Sequence, residues 1–396
     1  MHISRADQAS AAQTPSDYTS EGTPVINVRN IGFGNLREDH LEYLPEGKAA
    51  KLWQHHLKTG DIVFGRKGAV ERHALIDKHA NGWIQGSDCM RLRVTSASVC
   101  EKYLSYYLRT AAHQDWMQAL CSFGATMSSL NQDILRRLTF PAPVLATQKK
   151  IAAILSTYDD LIANNQRRIT LLERMAEDIY REWFVRLRFP GHEQVKIEKG
   201  VPHGWTPSTL GAIADFTMGQ SPSSEYFNET GTGLPFHQGV GSYGPRYPRH
   251  ETFCSVSGRK AKPGDILFSV RAPVGRLNIA DQELIIGRGL AAIRHKHGFN
   301  GYLLYLLKVA FASEDIIGNG SIFNSVGKDE LARLGVFAPN PALVAKFDAL
   351  VQPIDKQIAG LYQAIASLNA TRDALLPRLI SGKLSVDDLD IKTVPK

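Results

Sequence analysis

Two long stretches of the chain carry apolar residues at spacings that alternate between four and three, as in helices that pack along a seam. The first seam comprises Tyr158, Ile162, Asn165, Ile169, Leu172, Ala176, Ile179 and Trp183. The second comprises Ile354, Ile358, Leu361, Ile365, Leu368, Arg372, Leu375 and Leu379, each 196 positions after its counterpart. The shared phase predicts two long helices that pack together. Asn165 either fixes their register or lies in a solvated stretch, and the pattern does not distinguish the two.

Local residues predict where these helices begin and end. Asn340 can cap the second helix, and Pro341 fits its first turn. We expect Pro353 to break or restart this helix and Ser381-Gly382 to end it. The first helix is expected to end before Phe189.

A β-rich segment precedes each helix, and the two segments follow one plan. Residues 58–64 and 262–268 both form a turn, a Gly-Asp pair and an apolar strand, and Gly86 and Gly287 follow in strand-like segments. Six later positions repeat at the same offset of 196, with Gly124, Ser129, Asp133, Leu135, Leu138 and Pro143 matching Gly320, Ser325, Asp329, Leu331, Leu334 and Pro339. The stretch 237–249 has no convincing partner in the first segment.

These patterns predict an α+β fold with two β-rich domains and a pair of long coiled-coil helices. The expected boundaries are 1–143 and 200–339 for the domains, and 144–199 and 340–396 for the helical segments. Shared framework with divergent loops suggests that the two domains bind different ligands.

Composition changes this picture only slightly. A formal charge of +7 and a pI near 9.1 mildly favour an anionic partner. The four cysteines form no CxxC pair, which argues against a disulfide framework or a structural zinc site. The first twenty residues lack the apolar segment of a secretory signal, and no run is long enough to span a bilayer. We therefore expect a cytoplasmic protein without a membrane partner.

The sequence contains no recognisable catalytic motif. A phosphate-binding GxxxxGK[ST] loop, a GxGxxG turn between strand and helix, HExxH and GxSxG are all missing. The nearest approach to GxSxG, Gly219 to Ser223, fails at its last position. We therefore expect no catalytic, cofactor-binding or metal-binding residues in this chain.

The loops instead carry side chains suited to DNA. Arginine can contact guanine with two hydrogen bonds, asparagine or glutamine can do the same for adenine, and arginine and lysine also contact phosphates. The candidate DNA-binding residues are Asn27, Arg29, Asn30, Arg66, Lys67, Arg72, His237, Gln238, Arg246, Arg249, Arg271, Arg276 and Arg288. Taken alone, each of these residues is more simply explained as a solvated surface residue, and Arg271 and Arg276 are alternatively framework residues. The occurrence of such residues on equivalent loops of both domains favours DNA binding.

The ordered, duplicated set of features resembles the specificity subunits of type I restriction-modification enzymes, from about Gly22 to Leu384. The resemblance rests on residues 264–271 followed by 274–276, on Pro143 with the helix starting near 148–152, and on 375–384. It implies two target-recognition domains held apart by an antiparallel helix pair, each binding half of a split, asymmetric target. Expected partners are double-stranded DNA, two methyltransferase subunits and restriction/translocase subunits. S-adenosylmethionine, ATP and Mg²⁺ would belong to those partners.

Three expectations accompany this resemblance. The second domain opens with the strand-like segment 204–211, for which the first domain has no equivalent. Apolar residues Ile179, Tyr180, Trp183 and Phe184 form a candidate partner surface, although packing within the helix pair explains Ile179 and Trp183 equally well. The alternative from another functional class is a coiled-coil scaffold whose β-rich heads bind protein or carbohydrate.

Overall fold

The computed structural model describes residues 2–5, 17–121, 128–311 and 325–391, with backbone alone for the first range. The chain forms two compact units. Unit 1 comprises residues 1–165 and 364–396, and unit 2 comprises residues 166–363. The division falls inside both long helices, so each unit contains one segment of each.

Unit 1 contains mixed sheets covered by short helices. Its strands are β1 (His2–Arg5), β2 (Thr23–Ile26), β3 (Phe33–Gly34), β4 (Glu42–Leu44), β5 (Ile62–Gly65), β6 (His73–Leu75), β7 (Ile84–Gln85) and β8 (Cys89–Arg93). Its short helices are α1 (Glu46–Lys51), α2 (Glu101–Leu108), α3 (Ala111–Cys121) and α4 (Gln132–Arg136). The strands form a five-stranded sheet in the order β1-β8-β5-β6-β3 and a three-stranded sheet in the order β4-β2-β7. The long helix α5 (Leu145–Tyr180) begins in this unit.

Unit 2 has a related architecture. Its strands are β9 (Ile197–Glu198), β10 (Val201–Pro202), β11 (Thr206–Thr209), β12 (Ala214–Met218), β13 (Phe227–Asn228), β14 (Leu234–His237), β15 (Phe253–Cys254), β16 (Lys260–Ala261), β17 (Ile266–Ser269), β18 (Leu277–Ile279), β19 (Leu284–Ile286), β20 (Leu290–His295) and β21 (Gly335–Ala338). Its short helices are α6 (Leu210–Ile213), α7 (Asn300–Ala310) and α8 (Lys328–Ala332), and the long helix α9 (Pro341–Ile380) begins here. The two larger sheets have the orders β12-β20-β17-β18 and β13-β15-β14-β19-β16.

The Gly-Asp turn that the sequence repeats is built identically in both units. Gly60 and Gly264 have φ angles of 90° and 80°, in the left-handed region that favours glycine. The Asp61 carboxylate accepts a hydrogen bond from the backbone N–H of Lys58 at 2.8 Å. Asp265 accepts the corresponding bond from Lys262 at 2.7 Å. Each aspartate thus closes the turn before a fully buried strand, β5 or β17.

The helix α9 begins and ends where the sequence predicts. Asn340 Oδ1 accepts a hydrogen bond from the N–H of Ala342 at 2.9 Å, and Gly382 follows the last turn with φ of 73°. The expectation that Pro353 breaks or restarts the helix is wrong, because α9 is continuous through it. Pro353 lies on the exposed side, where water can satisfy the carbonyl left without its N–H partner.

Within each unit the two helix segments run antiparallel. In unit 1, Ile151 and Leu155 of α5 pack with Leu376 and Leu379 of α9 in one buried cluster. In unit 2, Trp183, in the π-helical turn that follows α5, packs against Phe347 near the start of α9. The architecture is therefore α+β, with β-rich domains and long paired helices, as the sequence predicts.

The strand that opens the second domain is β11, which pairs antiparallel with β21. In unit 1, β1 pairs with β8 as β12 pairs with β20, so β1 corresponds to β12 rather than to β11.

Among the described residues, no helix is both long and apolar enough to cross a bilayer. The same residues contain no group of three or more His, Cys, Asp or Glu side chains positioned to hold a metal ion.

Candidate nucleic-acid interface

In unit 2 the candidate interface lies where the parallel strands β14 and β19 end side by side. His237 pairs with Ile286, and the next residue, Gly287, donates its N–H to the carbonyl of His237 at 2.8 Å. A Cβ atom on Gly287 would lie 2.5 Å from Gln238 Oε1. Gly287 therefore leaves room for Gln238, whose side chain is exposed.

Two further loops of unit 2 meet this edge. Ser221 Oγ donates to Gln238 Oε1 at 2.7 Å and accepts from the backbone N–H of Arg288 at 3.2 Å. The loop after β17 joins through Val270, whose N–H donates to the carbonyl of Gly289 at 2.9 Å. Loops from four parts of unit 2 therefore converge around Gln238.

Unit 1 repeats this arrangement. Ile26 of β2 pairs in parallel with Gln85 of β7, and the N–H of Gly86 donates to the carbonyl of Ile26 at 2.9 Å. A Cβ atom on Gly86 would lie 2.4 Å from Asn27 Oδ1. Asn27 in unit 1 therefore occupies the position of Gln238 in unit 2.

The loop after the Gly-Asp strand also repeats. Lys67 forms an isolated antiparallel bridge with Ser129, and Arg271 forms one with Ser325. The two serines are 196 positions apart, as the sequence repeat predicts. Lys67 and Arg271 are thus equivalent basic residues on equivalent loops.

The expectation that the stretch 237–249 has no partner in the first domain needs correction at its start. Strand β14 pairs with β19 as β2 pairs with β7, so the correspondence continues to Gln238. Only the loop that follows Gln238 diverges. The sequence signal that was missed is the Gly-x-Pro that opens both strands, residues 22–24 before the end of β2 and 233–235 before the end of β14.

The thirteen candidate DNA-binding residues differ in exposure. Seven are exposed: Arg29, Lys67, Gln238, Arg249, Arg271, Arg276 and Arg288. Three are partly exposed: Asn27, Arg66 and Arg72. Three are buried: Asn30, His237 and Arg246.

The buried residues are engaged inside the protein, so our candidate interface excludes them. Asn30 Oδ1 accepts from the N–H of Asn27, and its amide donates to the carbonyl of Arg37 at 3.0 Å. The Arg246 guanidinium donates to Glu173 and Asp355. These side chains are held by internal partners and do not face solvent.

His237 belongs to a chain of polar side chains beneath the interface. Its ring nitrogens lie 2.7 Å from Ser242 Oγ and 3.0 Å from His250 Nδ1, and His250 Nε2 lies 3.1 Å from the Asp281 carboxylate. The pKa of His237 is lowered to about 4, mainly by burial and less by the neighbouring His250, while Asp281 opposes the shift. The chain fixes a neutral His237 below the exposed Gln238.

Two of the less buried candidates also have structural partners. The Arg29 guanidinium pairs with Glu42 at 2.7 Å, and the Arg72 guanidinium lies 5.2 Å from the centre of the Phe33 ring. Both remain at the surface, and a rim ion pair can exchange its partner for a phosphate at little cost.

The four predicted partner-binding residues divide into two pairs. Tyr180 and Phe184 pack inside unit 2 against Phe347 and Tyr302. Ile179 and Trp183 are partly exposed and line a shallow groove of about 440 Å³.

Sequence reasoning missed the other apolar side chains of this groove. Leu171 and Met175 precede Ile179 on the same face of α5, and both are largely exposed. The i, i+4, i+8 spacing from Leu171 was the signal that could have revealed them. We call Leu171, Met175, Ile179 and Trp183 the α5 patch.

The sequence also did not predict the role of Ser221. It was considered only as part of a failed hydrolase motif, whereas its hydroxyl joins Gln238 to the Arg288 loop. Gly219, two residues before Ser221, lets this loop approach the edge, since a Cβ atom there would lie 2.1 Å from the Gly287 carbonyl oxygen.

Comparison with known proteins finds relatives of similar sequence. Residues 20–174 match the family described as Type I restriction modification DNA specificity domain. In Methanocaldococcus jannaschii, the MjaX specificity subunit of a type I restriction enzyme is 28% identical, with alignment over 92% of this chain and 88% of that protein. The MjaIX specificity subunit of the same organism is 27% identical over 74% of this chain and 71% of that protein.

A solved structure supports the fold. The type I restriction-modification system S subunit from M. genitalium is 18% identical, and the alignment covers 96% of this chain and 93% of that chain with a TM-score of 0.58. Taken with the sequence matches, these comparisons show that the chain is similar to type I restriction enzyme specificity subunits over most of its length.

Proposed function

We propose that this chain is the non-catalytic DNA-recognition subunit of a type I restriction-modification complex, and that it binds a bipartite, asymmetric target. One observation carries the proposal: the same loop edge occurs in both units but presents different side chains. Asn27 and Lys67 in unit 1 stand where Gln238 and Arg271 stand in unit 2. Equivalent frameworks with different polar groups are suited to two different base sequences.

The chemistry of this edge fits double-stranded DNA. Amide side chains can bond adenine through two contacts, and guanidinium groups can bond guanine in the major groove. Lys67, Arg271 and Arg288 are exposed around them and can neutralise phosphates.

The partners proposed for this chain follow from the same assignment. The α5 patch is a suitable docking surface for a methyltransferase subunit, because an exposed apolar row on a helix costs free energy until it is covered. Two methyltransferase subunits and restriction/translocase subunits would supply catalysis and bind S-adenosylmethionine, ATP and Mg²⁺. The complex would act on DNA in the cytoplasm.

Methylation mapping tests this proposal. DNA from cells that express the chain with its neighbouring methyltransferase is compared with DNA from cells that express the methyltransferase alone. We expect methyladenine at one split motif only when the chain is present. K67A should weaken recognition of one half of that motif, and R288A should weaken the other.

A scaffold protein would give a different result. If the methyltransferase is active and bound but no methylation depends on the chain, the DNA-recognition proposal fails. A salt titration provides an independent check, because phosphate contacts make DNA affinity fall steeply between about 50 and 200 mM salt.

A further inference from the structure

Arg246 lies in the divergent loop of unit 2, yet its side chain is only 4% exposed. One guanidinium nitrogen donates to Glu173 Oε1 at 3.1 Å, and another donates to Asp355 Oδ1 at 2.5 Å. Glu173 belongs to α5 and Asp355 to α9. A single loop residue thus binds both long helices.

The contacts of this loop connect Arg246 to its exposed end. The N–H of Ile279 donates to the carbonyl of Arg246 at 2.9 Å, and the N–H of Gly244 donates to the carbonyl of Tyr247 at 3.1 Å. The N–H of Arg249 then donates to the carbonyl of Ser242 at 2.8 Å. Arg249 itself is exposed, so the buried guanidinium and the exposed one belong to the same hydrogen-bonded loop.

The middle of the loop is held on two sides, and its first end follows directly after Gln238. Asn278 of β18 donates its amide N–H to the carbonyl of Gly244 at 2.9 Å, and the Tyr247 ring packs edge-on against Tyr362 of α9 at 5.4 Å. The loop is therefore held against the sheet on one side and against α9 on the other. Gln238 and Arg249 stand at its two exposed ends.

Stability alone is a weak reason for this arrangement. Replacing a buried ion pair with apolar residues of similar size is often neutral or stabilising, whereas a guanidinium can donate to two carboxylates at once in only one placement. Because the carboxylates come from different helices, both bonds form only when the loop lies across the helix pair. The ion pairs therefore specify where the loop lies.

We propose that Arg246 is a positioning residue for target recognition, which holds the 239–249 loop against α5 and α9 so that unit 2 discriminates its half of the DNA target. The inference rests on the proposed function. It differs from that function in assigning half-site discrimination to a side chain that does not itself contact DNA.

The test uses the full chain assembled with its methyltransferase subunits and three duplexes. One duplex carries the mapped target, and each of the others has one half scrambled. The ratio of affinities between intact and scrambled target measures discrimination at each half. R288A and K67A first identify which half belongs to unit 2 and which to unit 1.

For R246M we expect the ratio at the unit 2 half to fall about tenfold, comparable with one lost base contact. The ratio at the unit 1 half should stay within about twofold of the wild-type value. K260M serves as the control, because it breaks an ion pair with Glu283 in the same unit whose two side chains are 42% and 45% exposed. K260M should change neither ratio.

R246M leaves carboxylates without their buried partner, so folding must be separated from positioning. The double variant R246M/D355M also removes one of these charges, and its melting temperature should exceed that of R246M. Discrimination at the unit 2 half should nevertheless remain lost.

The outcomes are distinct. If R246M keeps both ratios, if both fall together, or if R246M/D355M regains full discrimination, the positioning role is wrong. If the wild-type complex discriminates neither half, the proposed function itself fails.

Discussion

Each unit connects its β-rich domain to the long helices through a cluster of charged side chains. The group at the centre of the cluster is negative in unit 1 and positive in unit 2. In unit 1 the centre is a carboxylate: Asp159 of α5 accepts hydrogen bonds from Arg109 at 2.8 Å and from Arg372 of α9 at 2.7 Å. In unit 2 the centre is the guanidinium of Arg246, between Glu173 and Asp355. We call these the Asp159 cluster and the Arg246 cluster.

The comparison shows which part of the anchor belongs to the repeat. Asp159 and Asp355 are 196 positions apart, and each lies near the hydroxyl of an equivalent helix tyrosine, Tyr106 at 2.7 Å and Tyr305 at 3.5 Å. In unit 1 the β-rich domain supplies Arg109 at the end of α2, with Arg372 added from α9, whereas in unit 2 the domain supplies Arg246 from the divergent loop. The helix carboxylate is therefore common to both units, while each domain supplies its own guanidinium.

The largest expected effect comes from breaking the Asp159 cluster with D159N. Arg109 and Arg372 would then face each other with side chains only 14% and 15% exposed and no central charge. Asp159 itself is 31% exposed and Arg372 keeps its ion pair with Asp373, so the loss should be below that of a fully buried pair, about 1.5–3 kcal/mol of unfolding free energy. Denaturant unfolding at pH 7, followed by hydrogen exchange in unit 1, measures this loss.

The matched control is D160N, one residue further along α5 on its exposed side. It should change the unfolding free energy by less than about 0.5 kcal/mol. Burial alone raises the pKa of Asp159, but hydrogen bonds from Arg109, Tyr106 and Arg372 outweigh it and hold the pKa below its usual value. The D159N penalty should therefore shrink once the pH falls below about 4, where the unfolded carboxyl takes up its proton. An equal penalty for both variants at pH 7 would contradict the cluster's role.

A smaller effect is expected from the glycine that lies beside the strand end in both units. G86A and G287A each place a Cβ against the neighbouring strand end, 2.6 Å from the Ile26 carbonyl oxygen and 2.9 Å from the Gln238 Cα. Overpacking of this kind costs about 1–3 kcal/mol, and each variant should weaken recognition of a different half-site.

The control for this pair is G47A in α1, where a Cβ would meet nothing within 4 Å. That change should leave stability equal or raise it, since alanine favours helix. Thermal melting and the two-half affinity assay report both properties. If G86A and G287A weaken the same half-site, the equivalence of the two edges is wrong.

The smallest predicted effect is a difference between the two units in how much stability each loses at acid pH. Each unit buries a histidine beside a serine hydroxyl: His73 lies 2.8 Å from Ser105 Oγ, and His237 lies 2.7 Å from Ser242 Oγ. Burial is the main cause that lowers the pKa of His73 to about 3 and that of His237 to about 4. The folded state holds both rings neutral, whereas the unfolded state binds protons from about pH 6.5 downward. The free energy of unfolding should therefore fall as the pH is lowered. The loss at pH 5.5, relative to neutral pH, should be about 1.4 kcal/mol per histidine.

Hydrogen exchange at pH 7.5 and 5.5 checks this effect in each unit. H237Q should reduce the acid-induced loss in unit 2 but not in unit 1, and H79Q, at an exposed position, should leave both unchanged. Unit 1 should continue to lose stability to about pH 3, below the range for unit 2. A pH response that H237Q does not alter would contradict the assignment.

The fold was largely predictable because its determinants are local and repeated. The 196-residue offset, the Gly-Asp turns and the Asn340-Pro341 start of α9 each depend on residues that are close in sequence. Pro353 was misjudged for the same reason: the pattern shows a residue without an N–H, but not that solvent lies beside it.

The site was less predictable because its contacts are distant in sequence. The partners of Arg246 lie 73 and 109 positions away, so the sequence could not distinguish a buried arginine from one that faces DNA. His237 and Asn30 were misplaced in the same way. Gln238, Lys67 and Arg271 remain candidates because no internal partner buries them.

The pairing of β11 with β21 has a consequence for how such a protein can change. Thr206 lies opposite Ala338, so the chain enters and leaves the stretch 206–338 through neighbouring strands of unit 2. Genetic recombination within these two strands would exchange this cassette without shifting the phase of α5 or α9. A lineage could thereby acquire a new β-rich domain in one event while the two long helices keep their sequence and phase.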